Sequence, residues 1–498
     1  MNSPVEIPYK SFIQVVRSLE TPIYMQVTHQ LIQAIQRGYL PANTRLPGTR
    51  ALSTLLHLHR NTVVAAYEEL LTQGWVEARP NKGTFVIAAP LVKGQKLSGL
   101  SDGVIEWSGY PQTTGFSFQK TSLLDNPFEH SGCTYVFNDG IPDIRLSHID
   151  QHSRWYSAQL KRRSTRKMLG HYNQDGSEFF KKHLANYLNL SRGLHISREN
   201  LLITRSTEMS IYIASEILLS KGDIVLVGGL SFFASNMIFQ KSGAVIKTVA
   251  IDEEGIDVEA VRAMCEQHPV RMLYLTPHHH YPTTVTLSAQ RRLALLELAR
   301  TYGFIILEDD YDYDFHYDKN PVLPLASADT HGMVIYVGSF GKSLAPGFRT
   351  GFIVAPQNLM VEMRKLLGII DRQGDIVMEQ ALGEMIAEGE IHRYLKKSLK
   401  IYEQRRDDCA ALLQQYLGDY VRFQKPSGGL AIWAEWGQPV NLSQISKVCA
   451  RSDLFIPKTI LYQNRNITAM RLGFGNFTRE EMEQSLIILA DALGKDGE

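Results

Sequence analysis

Five short apolar runs constrain this 498-residue chain more than any other feature. "NLLIT" (200–204), "DIVLV" (223–227), "RMLYL" (271–275), "GFIIL" (303–307) and "MVIYV" (333–337) have the length and residue types of strands. Amphipathic helical stretches separate them, and strand alternating with helix predicts an α/β domain with a mostly parallel sheet. Each run leads into a polar cluster: "RSTEMS", "GGLSFFAS", "TPHHHYPTT", "EDDYDYDF" and "GSFGKSLAPGFRTG". Open α/β sheets bind ligands just past the carboxyl ends of their strands, so the five clusters converge on one rim.

The first ninety residues follow another pattern. In "TPIYMQVTHQLIQAIQRG" (21–38), Ile23, Val27, Leu31 and Ile35 recur every four residues, which predicts a helix with Thr21 as N-cap, Pro22 in its first turn and Gly38 beyond its end. A short helix follows, capped by Thr49 and carrying Leu52, Leu55 and Leu56. The next, from about Asn61 to Leu71, turns Ala66, Tyr67, Leu70 and Leu71 inward. Two helices joined so tightly describe a helix-turn-helix. "WVEA" and "TFVI" bracket "RPNKG" as a hairpin with a basic tip, so the reading is a winged helix-turn-helix over residues 15–88. Residues 21–87 hold six Lys/Arg against three Asp/Glu. Thr49, Arg50, Arg60, Asn61 and Thr62 lie at helix starts, where side chains and backbone N–H groups meet phosphates and base edges of double-stranded DNA. His57 and His59, in "LHLHRN", are read as turn residues.

A chain this long calls for two or three units. Residues 89–131, rich in Gly, Ser and Thr without sustained periodicity, read as a long linker, and 132–498 as the large domain. A net charge of +1 leaves partners to local charge. No apolar run is long enough to span a membrane, and the amino terminus lacks signal-peptide features. Cys133, Cys265, Cys409 and Cys449 fall at no metal or redox spacing, which fits free thiols and a cytoplasmic location.

"GSFGKSLAPGFRTG" (338–351) contains Gly-Lys-Ser, but a P-loop needs glycine at 336, where Tyr336 stands. It also contains Ser-x-x-Lys, but the Ser-Asp-Asn and Lys-Thr-Gly of penicillin-recognising enzymes are absent. A third reading uses all five clusters. Pyridoxal phosphate needs a lysine for its aldehyde, an acid for its ring nitrogen, an aromatic face and donors for its phosphate. Lys342 supplies the amine for a Schiff base, Asp309 the acid, Phe232 the face, and Tyr311 a donor to the ring hydroxyl. Ser206 and Thr207 open a helix whose N-terminus favours a dianion, and Ser339 and Arg349 add a hydroxyl and a charged fork. Taken alone, "EDDYD" also fits an acidic loop or a magnesium site. His278, His279 and His280 invite a zinc reading, although contiguous histidines cannot all face one ion.

"RLPGTRALS" and "RNTVVAAYEELLTQGWVEARPNKGTFV" resemble the GntR family of bacterial transcription regulators. That resemblance implies DNA contacts from Arg50, Arg60, Thr62 and the Lys82–Gly83 wing tip. Residues 135–495 resemble fold-type I aminotransferases, with a mostly parallel sheet and a smaller α+β C-terminal part. The whole chain resembles the MocR family of pyridoxal-phosphate-dependent regulators through "FNDGIPDIRL", "HYNQDGSEFFKKHLANYL", "TPHHHYPTTVTLS", "EDDYDYDF", "GSFGKSLAPGFRTGF" and "MRLGFGNF". It implies that Lys342 carries the cofactor, Asp309 meets its ring nitrogen, Arg349 holds its phosphate and Arg471 grips a substrate carboxylate. A structural salt bridge is the other reading of Arg471.

The chain departs from the family pattern in "GGLSF", where Phe232 replaces a tyrosine, and at Ser206, where a glycine is expected nearby. Glu208 stands where glutamine is common, Tyr281 where the cofactor-contacting asparagine is usual, and Thr284 where glycine is usual. The resemblance therefore implies a cytoplasmic homodimer that binds paired half-sites on DNA and senses an amino compound through pyridoxal phosphate. The alternatives are an active aminotransferase carrying a DNA-binding domain, or a sensor of pyridoxal phosphate itself. The departures lean against efficient turnover and leave a residual half-reaction open. "RWYSAQLKRRSTRK" (154–167), with six basic residues and no acid, reads as a solvated helix face or as a second DNA-contacting surface.

Overall fold

The computed structural model describes the chain except for residues 1–6, 20, 88–111, 119, 122, 124, 126, 128, 130, 172, 174, 175, 318–321, 438, 439 and 496–498. Much of the expected linker thus lies outside the described residues. The chain divides into two compact units, Met1–Ser117 and Phe118–Glu498.

In the first unit, helices Ile23–Gln36, Thr49–Leu56 and Arg60–Thr72 precede an antiparallel hairpin, Val76–Arg79 with Gly83–Val86. Val27, Leu31, Leu52, Val63, Ala66 and Leu70 are fully enclosed and form its core. Three details differ from the sequence expectations. Pro22, not Thr21, occupies the N-cap position, because its ψ of 140° is extended and the helix begins after it. Gly48 rather than Thr49 precedes the next helix. Leu71 is 38% exposed, because Val63, Ala66, Tyr67 and Leu70 already complete the inner face at i, i+3, i+4 and i+7 spacing. His57 takes a left-handed conformation at a helix end, and His59 Nδ1 accepts from the Asn61 N–H at the next helix start, so both serve the turn.

The second unit is built on a seven-stranded sheet in the order Leu201–Thr204, Gly351–Val354, Val334–Ser339, Ile305–Asp309, Val270–Leu275, Ile224–Gly228, Val245–Val249. All neighbours pair parallel except Gly351–Val354, which runs antiparallel to both its neighbours. Alternate residues of one strand feed opposite cores: Val225 and Val227 join Ile211, Phe239 and Met272, while Leu226 joins Leu273, Leu295 and Phe304. Two-sided burial is what a parallel sheet covered by helices requires. The short strand Gly351–Val354 and the edge strand Val245–Val249, with Val245 47% exposed, were not among the five apolar runs.

The fourth run begins later than expected. Gly303, at φ 74°, closes the preceding helix as a left-handed cap, so the strand starts at Ile305 and carries Glu308 and Asp309 as its last residues. A four-stranded antiparallel sheet, in the order Val421–Phe423, Ala431–Trp436, Thr468–Gly473, Leu461–Gln463, forms the smaller C-terminal part with helices Glu390–Leu417, Leu442–Arg451 and Arg479–Lys495. Among the described residues no helix is long and apolar enough to cross a membrane. All four cysteines are free thiols.

Candidate functional site

A cavity of about 300 Å³ lies at the carboxyl rim of the seven-stranded sheet. Ser206 and Thr207 border it from the first rim segment, Phe232 from the second and Tyr281 from the third. Asp309 and Tyr311 enter from the fourth, and Ser339, Lys342 and Arg349 from the fifth. The rim segments thus bring together every residue assigned from sequence to the cofactor.

Asp309 ends its strand in full burial. Tyr274 donates its hydroxyl proton to Oδ2 at 2.8 Å, while Oδ1 is buried with no hydrogen-bond partner. Burial pushes the Asp309 carboxyl up to about 8; the Tyr274 bond opposes the rise, and the charges of Glu208, Asp310 and Asp312 add to it. Lys342 is half-buried, with Nζ 4.5 Å from the centre of the Tyr311 ring. Burial holds its ammonium below the usual lysine range, against the support of the Asp139 charge.

Ser206 Oγ accepts from the Met209 N–H at 3.2 Å and caps helix Thr207–Leu218, so the helix start is fixed against the cavity. Gly351 makes this approach feasible, since a Cβ there would lie 2.9 Å from the Ser206 backbone. Residues 340–350 connect two antiparallel neighbours of the sheet, and the Phe340 N–H donates to Thr350 O at 2.9 Å across the base of this loop. Arg349 is exposed and sits at φ 47°, a left-handed conformation unusual for a residue with a side chain.

Two residues stand differently from the sequence reading. The Tyr311 hydroxyl donates to His279 O at 2.8 Å and accepts from Arg471 Nη2 at 3.2 Å, so its proton is committed to the protein backbone. Arg471, only 1% exposed, is not among the cavity-lining residues. It donates from Nε to Asp139 O at 3.1 Å and from Nη1 to Pro282 O at 2.8 Å.

Tyr281 is 4% exposed, meets Phe232 edge-on with ring centres 5.0 Å apart, and turns its hydroxyl toward that of Tyr462. Thr284, in place of the usual glycine, takes the left-handed conformation that glycine would, at φ 64°. The three histidines face different partners: His278 pairs with Asp310 and His279 with Asp312, both at 2.9 Å, and His280 bonds Thr283 at 2.8 Å. Among the described residues no group of three His, Cys, Asp or Glu is arranged to hold a metal. Sequence reasoning missed Tyr274 and Asp139 at this site. Tyr274 carried a signal, a phenol near the carboxyl end of a strand whose other buried residues are apolar.

In the first unit Arg50, Arg60, Asn61, Lys82 and Gly83 are exposed, and Thr49 and Thr62 are half-buried. Asn81 at φ 60° and Gly83 at φ 111° turn the wing, which leaves Lys82 projecting between them. Among the described residues Arg50, Arg60 and Lys82 form no ion pair. The basic run 154–167 spans helices Ile149–Lys161 and Arg163–Leu169, with Arg162 paired to Glu384 and the other five basic side chains exposed.

The family model described as aminotransferase class I and II matches residues 139–485. The chain belongs to the class I and II aminotransferase family. Residues 23–86 match the gntR family of bacterial regulatory proteins, so a gntR head precedes the class I and II aminotransferase domain. The chain is 26% identical over 453 residues to the probable rhizopine catabolism regulatory protein MocR of Rhizobium meliloti, covering 86% of this chain and 88% of that one. It is 25% identical over 480 residues to the HTH-type transcriptional regulator TauR of Rhodobacter capsulatus, covering 93% of this chain and 96% of TauR. The crystal structure of an archaeal alanine:glyoxylate aminotransferase superposes with a TM-score of 0.68 at 24% identity, over 72% of this chain and 91% of that one. The last likeness concerns the fold.

Proposed function

We propose that this protein is a transcription regulator that binds DNA through its winged head and reads an amino compound through pyridoxal phosphate held in the aminotransferase-like unit. The observation that carries the reading is a gntR head on the same chain as a cavity bordered by Lys342, Asp309 and Arg349. The TauR match, at 93% of this chain, is too long to leave out either part.

The residues present fit the cofactor. Asp309 Oδ1, buried and unpartnered, is the acceptor that a protonated pyridine nitrogen requires, and that cation would offset the burial that raises the Asp309 pKa. Lys342, its charge disfavoured by burial, presents an amine suited to an aldehyde. Ser339, Arg349 and the start of helix Thr207–Leu218 would hold the phosphate, and Phe232, backed edge-on by Tyr281, would offer the ring an apolar face. When bound, pyridoxal phosphate supplies an electron-withdrawing carbonyl to which a free amine adds.

Arg50, Arg60, Asn61 and the Lys82 wing tip would meet the duplex, with Thr49 and Thr62 beside them at the helix starts, and a homodimer would present two heads to paired half-sites. The test is a titration of the purified protein with pyridoxal phosphate and then with amines, following the visible absorption of the cofactor and the anisotropy of labelled promoter DNA. The reading requires a visible band and a change in DNA affinity on amine binding; a band with amine-independent DNA binding would count against it.

A further inference from the structure

Asp139 stands on a segment held on several sides. Asn138 Oδ1 accepts from the N–H groups of Gly140 and Ile141, each at 2.8 Å, and Asn138 O accepts from the Gly473 N–H at 2.8 Å. Gly140 turns at φ 98°, where a Cβ would lie 3.2 Å from the Leu430 backbone. Three residues on, Asp143 pairs with Arg145 at 2.9 Å and Arg405 at 2.8 Å. The segment is therefore rigid, and it sets Asp139 on the cavity wall with Ile141 and Pro142.

Among the described residues nothing pairs with the Asp139 carboxylate. Arg471 donates to the backbone carbonyl of Asp139, not to its side chain, and fills its remaining contacts with Pro282 O and Tyr311. The Asp139 charge nevertheless reaches into the site: it favours the charged forms of Lys342 and Arg471, whose own donors are directed elsewhere, and disfavours ionisation of Tyr281, Tyr311 and Tyr462. A carboxylate beside neutral tyrosine rings is a setting that attracts an ammonium group. It contributes nothing to holding a phosphate dianion.

We propose that Asp139 determines the specificity of this cavity, and that the effector carries a second cationic group besides its reactive amine, as a diamine or a basic amino acid does. This rests on the regulator reading above. Ile141 and Pro142 offer an apolar edge for the methylenes between the two amines. A neutral isostere of such a ligand forgoes the charge-assisted bond to Asp139, and that difference is what would discriminate between the two.

The test uses the full-length protein loaded with pyridoxal phosphate, titrated with L-lysine against L-norleucine and with 1,5-diaminopentane against 1-aminopentane. The midpoints are read from the cofactor spectrum and, separately, from anisotropy of promoter DNA. The expected result is a midpoint at least about tenfold lower for the dication of at least one pair, as a charge-assisted bond predicts. Asp139→Asn should bring the two members of that pair to within about twofold, since the charge-assisted bond is then lost. Equal midpoints in both wild-type pairs would overturn the proposal, and the wild-type ratios decide the matter should the variant not fold. An equal loss for charged and neutral ligands in Asp139→Asn would also overturn it, because Asp139 would then act only through Lys342. A protein that gains no visible band on adding pyridoxal phosphate defeats the regulator reading itself, and this inference with it.

Discussion

The guanidinium carbon of Arg471 lies 4.8 Å from the centre of the Tyr281 ring, at a position where the family pattern has asparagine. The aromatic face takes a buried cation, and the same cation joins Asp139, Pro282 and Tyr311. A residue assigned from sequence to a ligand thus ties together three segments of the fold.

Arg471→Met should therefore destabilise the aminotransferase-like unit. It leaves two backbone carbonyls and a phenol short of donors, at about 1–3 kcal/mol for each unsatisfied group. We expect urea unfolding to show a loss of roughly 3 kcal/mol or more. An unchanged midpoint would show that these three contacts do not hold the unit together.

Lys342→Ala should remove the visible absorption band on addition of pyridoxal phosphate while leaving DNA binding measurable. The head that carries Arg60 and the cavity that carries Lys342 belong to different compact units. A folded variant that no longer bound DNA would contradict this separation.

Asp309 sets a pH dependence whose sign follows from its burial. Its folded-state pKa is raised to about 8, against about 3.9 in an unfolded chain. Between these values the unfolded state has released a proton that the folded state retains, so stability falls as pH rises from about 4 to about 8 and then levels off. Glu308 and Glu379, each pushed up to about 7 by burial, add a decline of the same sign. Melting curves of cofactor-free protein should show the sum, and Asp309→Asn should make it shallower without abolishing it. Pyridoxal phosphate should also reduce the decline in the wild type, because its ring cation stabilises the ionised carboxylate.

Arg60→Ala should weaken binding to the specific operator by about 1–3 kcal/mol if the side chain reads a base edge. Lys82→Ala should instead lower the slope of log affinity against log salt by about one, the mark of a phosphate contact. Equal losses on operator and random DNA for Arg60→Ala would assign it to the phosphate backbone.

Turnover should be slow. Tyr281 replaces an asparagine, the Tyr311 hydroxyl proton is taken by His279 O, and misplacement on the order of 1 Å can cost about a hundredfold in rate. With excess amine and a keto-acid acceptor, the cofactor spectrum should shift while product forms very slowly. Many rapid turnovers with no effect on DNA binding would favour the enzyme reading.

The central strands were legible because a parallel strand buried on both faces must be largely apolar, as residues 224–227 and 272–275 are. Gly351–Val354 escaped notice because it is short and directly follows a polar loop. The rim assignments of Lys342, Asp309 and Arg349 followed from the same topology, which brings the ends of parallel strands to one side whatever their distance in sequence. Asp139 and the commitments of Tyr311 and Arg471 were not legible. They depend on a segment more than three hundred residues from Arg471 packing against its strand, a contact that local pattern does not encode. Leu71 was misplaced for a simpler reason: one step along a helix turns a side chain through about 100°.

The single reversed strand of the sheet gives the cavity one mechanical property. Because Gly351–Val354 runs back beside Val334–Ser339, the loop 340–350 begins and ends on adjacent hydrogen-bonded strands. Lys342 and Arg349 therefore ride on one tether clamped at both feet, with Phe340 and Thr350 closing its base. A ligand that pulled on the Lys342 amine would therefore be felt at Arg349, the residue proposed to anchor the phosphate.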